Sequence, residues 1–248
     1  MDPVIDVPRW EPRGEKVAGV VARQIVRDIA EQRLPPGTVL GAETAMIKRY
    51  QVSRASLREA LRILEIQGLI SIKPGPGGGP TVCEVDSAAY GRMSTLFYQV
   101  MGLEFSKLVD ARLLLEPMMA SLAARHSDRK ANDELREIVE RGRRADTHAE
   151  WLAASNAFHS KVVSMSGNEL MTLLANSLTD NFRARISGLA FEESQRDEVK
   201  EVHAAIADAI ERGDEQVAGD LMRAHMESYV VAIQRRYPSL MDEVIDWR

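Results

Sequence analysis

The chain has 248 residues, 45% of them hydrophobic, which is enough for one large domain or two modest ones with a real core. It holds no apolar run long enough to cross a bilayer, and Met1–Asp6 lacks the basic-then-apolar start of a secretory signal, so neither a membrane partner nor export is expected. The net charge of −5 is uneven, with residues 9–73 at +5 and residues 74–248 at −8, which predicts two domains with different partners and reserves a polyanion for the first.

In chain order, a first helix is predicted over Glu15–Gln32, with Val17, Val20, Val21, Ile25 and Ile29 on one face. Leu34-Pro35-Pro36-Gly37 reads as a turn and Thr38–Leu40 as a short extended piece. A second helix covers Ala42–Tyr50 and a third Ser53–Gln67, stopped by Gly68. Leu69–Ile72 alternates like a strand, and Thr81-Val82 can return beside it. The tract Pro74-Gly75-Pro76-Gly77-Gly78-Gly79-Pro80 forms the tip, and no helix or regular strand survives it. The single cysteine, Cys83, cannot form an internal disulfide and has no histidine near it in sequence. It reads as a passive residue by a linker, consistent with a reducing cytoplasm.

Beyond residue 86 the 3.6-residue apolar spacing predicts helices over Ala88–Met101, Phe105–His126, Lys130–Asp146, Ala149–Ser166, Glu169–Gly188, Gln195–Arg212 and Glu215–Tyr237. The fold class is therefore mostly α: a helix-turn-helix with a small β-hairpin over residues 10–83, then an all-α bundle of six or seven helices over residues 84–238. Met118, Met119, Met165, Met171, Met222 and Met226 are expected to fill its core.

The third helix carries the clearest chemistry. Leu57, Leu61 and Leu64 fall at i, i+4 and i+7 and form an apolar seam. Arg54, Arg58 and Arg62 fall on another stripe, and Ser53 can cap the N-terminus. Arginine forks on a helix of this kind suit base edges and phosphates in a major groove. Residues 14–82 resemble the winged helix-turn-helix of the GntR family, through Leu34–Leu40, Val52-Ser53-Arg54-Ala55-Ser56-Leu57-Arg58-Glu59-Ala60-Leu61, and Leu64-Glu65 with Gly68-Leu69-Ile70. The resemblance implies that Ser53, Arg54, Ser56 and Arg58 contact double-stranded operator DNA, with Lys73 and Gly75 of the wing at the minor groove. Thr44 departs from it, because family members often carry arginine after the glutamate that opens helix two.

His159, His203 and His225 each lie on a separate predicted helix beside apolar residues. By spacing alone they are either half-buried structural residues or ligands that converge on a divalent metal such as Zn²⁺ or Ni²⁺. Residues 90–236 resemble the FCD ligand-binding domain of FadR-type GntR regulators. The resemblance rests on Arg112-Leu113-Leu114-Leu115-Glu116-Pro117, Ala157-Phe158-His159 with Ser166-Gly167-Asn168, His203–Ile210 with Gly213-Asp214, and Met222–Met226. It implies a homodimeric, metabolite-responsive repressor with a metal on the three histidines. Ser155 stands where an Asp or Asn ligand is usual. Arg112 would sit at the pocket rim and meet the carboxylate of a small organic acid, or instead pair with Glu116 one turn on. Alternatives are a metal-free regulator with a larger organic ligand, a DNA binder with no ligand, and a metal-dependent hydrolase, the last with no sequence motif behind it.

Overall fold

The computed structural model describes residues 16–75, 78–126, 128–186 and 193–247. The starts expected at residue 10 for the first domain and Glu15 for the first helix lie outside these residues, as does the helix end expected at Gly188. The chain divides into two compact units, Met1–Asp86 and Ser87–Arg248.

In the first unit, α1 (Val17–Glu31), α2 (Glu43–Tyr50) and α3 (Arg54–Ile66) precede an antiparallel hairpin of β1 (Ile70–Lys73) and β2 (Gly79–Val82). Ala18, Val21, Ala22 and Ile25 of α1 pack with Met46 of α2 and with Leu57, Ala60, Leu61 and Leu64 of α3. Val17 and Val20 are exposed, contrary to expectation. The small side chains of Ala18 and Ala22 turn that stripe inward, which carries Val17 and Val20 to its flanks. Thr38–Leu40 adds a third edge to the hairpin. Gly37 N–H donates to the Val82 carbonyl, Val82 N–H to Thr38 and Leu40 N–H to Pro80, at 2.8–2.9 Å. Gln51 takes the left-handed conformation, φ 52°, which makes the tight turn between α2 and α3.

The second unit contains, among the described residues, seven α-helices: α4 (Ser87–Val100), α5 (Phe105–His126), α6 (Arg129–Arg143), α7 (His148–Ser164), α8 (Glu169–Ile186), α9 (Glu193–Glu211) and α10 (Glu215–Arg236). Local signals start them: Asp128 caps α6, Asp214 caps α10, and Thr147 with Glu150 forms a capping box on α7. Phe158, Val162, Ile206, Ile210, Met222 and Met226 meet in the main core. Met118 is exposed, against expectation, because it lies on the side of α5 opposite the buried Met119 and Ala123. Gly219 of α10 lets α5 come close, since a Cβ there would stand 2.4 Å from Ser121 Oγ. That approach brings the α5 residues Arg112 and Glu116 into the same interior as His225 of α10. After Tyr237 the chain folds back, with Ile245 N–H donating to the Leu103 carbonyl and Phe105 N–H to that of Glu243.

Candidate DNA-reading surface and candidate metal centre

Ser53 caps α3: its Oγ accepts from Ser56 N–H at 3.1 Å and lies 2.9 Å from Ser56 Oγ. This starts α3 at Arg54 and leaves Arg54, Arg58 and Arg62 exposed, while Leu57, Leu61 and Leu64 are buried. Glu43, at the start of α2, holds two of the three. Its Oε1 is 3.1 Å from Arg58 Nε and 3.7 Å from Arg54 Nε. The sequence reading took Glu43 only as the start of helix two. Lys73 ends β1 opposite Gly79, and Gly75 lies beyond it at φ +100°, a backbone conformation suited to glycine. All of these groups belong to one compact unit, and the arginines face solvent, where a polyanion can reach them.

The three histidines do converge. His203 on α9 and His225 on α10 bring their Nε2 atoms to 3.2 Å, His225 and His159 to 3.4 Å, and the ligand atoms of all three lie within 4.8 Å of one another. All three rings are buried. Phe158 stacks on His203 with ring centres 3.9 Å apart, and His159 stacks on His225 at 5.3 Å. Burial first, then the neighbouring imidazoles, pushes His203 well below its usual pKa; burial, then His159, takes His225 to about 3. Both are neutral near pH 7 and offer lone pairs.

A polar chain sits behind the cluster. Glu116 Oε2 is 2.5 Å from His159 Nδ1, and Oε1 accepts from Arg112 Nε at 2.6 Å and lies 2.5 Å from Nη2. Burial opposes the Glu116 charge, yet Arg112 and then His159 outweigh it and hold the carboxyl down to about 2. An ionised Glu116 can only accept, so it takes a hydrogen bond from His159 Nδ1–H, which leaves the His159 Nε2 lone pair facing inward. Sequence reasoning weighed Glu116 only as a partner for Arg112. The i, i+4 spacing was the available signal, but nothing local tied it to a histidine 43 residues on. Arg112 is buried, not at a rim. It makes the Glu116 pair, its guanidinium lies 3.9 Å over the Phe182 ring, and its Nη1 has no hydrogen-bond partner among the described residues. Ser155 lines a small cavity with Arg112, Asn156, His159 and His225.

These residues fit a divalent cation. Metal–nitrogen bonds of 2.0–2.1 Å at tetrahedral or octahedral angles put ligand nitrogens about 2.8–3.4 Å apart, and two of the three pairs lie in that range. The donors are imidazole nitrogens, suited to Zn²⁺ or Ni²⁺, and Glu116 holds the far side of the His159 ring and so fixes its orientation.

Two family models match the chain. The model of bacterial regulatory proteins of the gntR family covers residues 18–78, the DNA-reading unit, and that of the FCD domain covers residues 107–228, which include every residue of the histidine centre. The chain belongs to the gntR family and carries an FCD domain. This gntR-family protein is 26% identical to an uncharacterised HTH-type transcriptional regulator of Mycobacterium tuberculosis, over 91% of the chain and 93% of the relative. It is 28% identical to the HTH-type transcriptional regulator LutR of Bacillus subtilis, over 80% and 92%. It is 24% identical to the HTH-type transcriptional repressor NanR of Escherichia coli K12, over 86% and 83%. Among solved structures, Streptococcus agalactiae GntR matches at a TM-score of 0.67 with 25% identity, over 86% of this chain and 98% of that one. The gntR-family protein is thus a DNA-binding transcription regulator and not an enzyme.

Proposed function

We propose that the regulator is a cytoplasmic homodimeric repressor that reads a palindromic operator with Arg54 and Arg58. A small organic acid at a metal-bearing histidine centre modulates that reading. The observation that carries the sensing half is the convergence of three buried imidazoles beside an arginine whose Nη1 has no hydrogen-bond partner among the described residues. When bound, a divalent metal would supply positive charge and open coordination positions to an entering carboxylate. The chain's own groups do the rest. His159, His203 and His225 would hold the ion, Glu116 orients His159, Ser155 faces the cavity, and Arg112 Nη1 offers an N–H to the acid. The acid would favour whichever arrangement of the helices closes on it, and it can shift operator binding only by that difference in affinity.

The reading half rests on the exposed arginine stripe and on the wing with Lys73 and Gly75. Ser53 and Ser56 at the start of α3 complete the contact set. Homodimerisation is supported by α4, where Tyr90, Met93, Leu96, Phe97 and Val100 are all exposed along its outer side, as is Met101 just beyond its end. An apolar face of this extent suits a protein partner, and two-fold pairing doubles the few base pairs that one helix reads. Among the described residues no helix is long and apolar enough to cross a membrane.

The test combines elemental analysis of the purified regulator with gel shift on its own promoter. Wild type should carry about one divalent ion per chain. His203→Ala and His225→Ala should lose it and lose the response to acids, while keeping operator affinity within about twofold. Full metal content in both variants would remove the histidines from the metal-site assignment. A metal-free wild type that still responds to an organic ligand would favour the metal-free regulator.

A further inference from the structure

Two cavities meet at the histidine cluster and differ in size and lining. The inner one, bounded by Arg112, Ser155, His159 and His225, has a volume of about 20 Å³, room for one water-sized group. The outer one lies between α9 and α10, against Trp151 of α7, and has a volume of about 240 Å³. Val199, His225 and Tyr229 line both, so the narrow polar end opens toward the wider cleft along a shared wall. The cleft wall is mainly apolar, through Trp151, Val199, Val202, Leu221 and Ala232. Its few polar groups include Glu198 and Ser228, both exposed, and no Lys or Arg is among its described lining residues.

These sizes constrain the effector. The inner cavity accepts little more than the head of a carboxylate, whereas an apolar cavity of about 150 Å³ takes a benzene ring. The rest of any organic acid must therefore occupy the cleft. A second carboxylate there would either lose water against the apolar wall or meet the like charge of Glu198, with no Lys or Arg among the described lining residues to offset it. A ring or short branched chain would instead bury its surface against the apolar wall. We propose that the effector is a monocarboxylic acid with an apolar body of about one aromatic ring, its carboxylate beside Arg112 Nη1 and the histidines and its body in the α9–α10 cleft. This rests on the acid-effector reading above and narrows its chemical class.

The test is isothermal titration calorimetry on the full-length regulator loaded with Zn²⁺, with benzoate, acetate and succinate as probes. Benzoate should bind at least tenfold more tightly than either of the others. Ala232→Trp, in the cleft wall two turns beyond His225, should weaken benzoate at least tenfold while Zn²⁺ content stays unchanged. Ser228→Trp at the exposed rim serves the same purpose if Ala232→Trp fails to fold, as judged by its melting curve. Succinate or acetate binding as tightly as benzoate, or undiminished benzoate binding in a folded cleft variant, overturns the cleft assignment and leaves the acid-effector reading standing. No binding by any of the three acids overturns the acid-effector reading and this proposal together.

Discussion

Arg58 in the N-terminal unit and Arg112 in the C-terminal one each meet a glutamate, at 3.1 and 2.6 Å, yet the two pairs do different physical work. The Arg58 side chain is 71% exposed and that of Arg112 only 5%. A pair in water is worth little and can be exchanged for a phosphate. The Glu43 contacts hold Arg54 and Arg58 ready without committing them. A buried pair is different, because removing one partner strands a charge in a medium that cannot solvate it. Arg112 is therefore open only to an anion that enters the protein, and in the proposed function its Nη1, which has no hydrogen-bond partner among the described residues, is where such an anion would go. In the proposed function the same residue type would serve a polyanion at the surface and a small ligand in the interior, and burial makes the distinction.

The largest expected effect tests that contrast directly. Glu116→Ala should destabilise the regulator by about 3–5 kcal/mol, whereas Glu43→Ala should cost less than about 1 kcal/mol. Chemical denaturation of the two variants measures both, and comparable losses would erase the distinction. Next in size, Arg54→Ala and Arg58→Ala should each reduce operator affinity by about 1–3 kcal/mol if the arginines reach base edges. Competition gel shifts with mismatched operators would show whether specificity falls with affinity. A uniform loss across all sequences would assign them to phosphates. Ser53→Ala removes the α3 cap and should lower stability by about 1 kcal/mol. Thermal melting reads this, and an unchanged midpoint would mean that the Ser53–Ser56 contact is not formed in solution.

The smallest effect is a pH dependence confined to the N-terminal unit. Burial works to raise the Asp28 carboxyl, but the Tyr50 hydroxyl at 2.7 Å, Gln24 and Arg49 together hold it below its usual value. Its contribution is present above the ordinary carboxylate pKa of about 4 and fades as pH falls below that. Tyr50 is shifted the other way, up to about 12, by burial and then by Asp28. Its contribution is full below pH of about 10 and is lost as pH rises through 12. Tyr50→Phe should flatten both limbs of a stability-against-pH curve. Identical limbs in the variant would show that the Asp28–Tyr50 bond contributes nothing.

Much of the fold is legible in the chain because its determinants are local. The seam Leu57–Leu61–Leu64, the Ser53 cap and the Gly68 stop act within a few residues, and the structure has α3 where they place it. The Gly/Pro tract was expected to hold no strand, yet Gly79 and Pro80 belong to β2, because pairing with Lys73 and Ile72 across the hairpin extends the strand into the tract. The seven later helices follow their apolar spacing to within three residues at each described end. The inward face of α1 was misread at Val17 and Val20. Counting the larger side chains hid the fact that Ala18 and Ala22 permit the closest packing.

The site divides along the same line. Residue types and their helices were set by sequence alone: three histidines on three helices, an arginine and glutamate one turn apart, an arginine stripe beside an apolar seam. What those groups became was decided only by the tertiary structure. It brought Glu116 to His159 across 43 residues, drew three Nε2 atoms into one cluster and buried Arg112 over Phe182. The reason is the range of the forces involved. Helix periodicity and capping depend on neighbours in the chain, whereas hydrogen-bond geometry and the loss of solvent at a charged group depend on what other helices bring to the same interior.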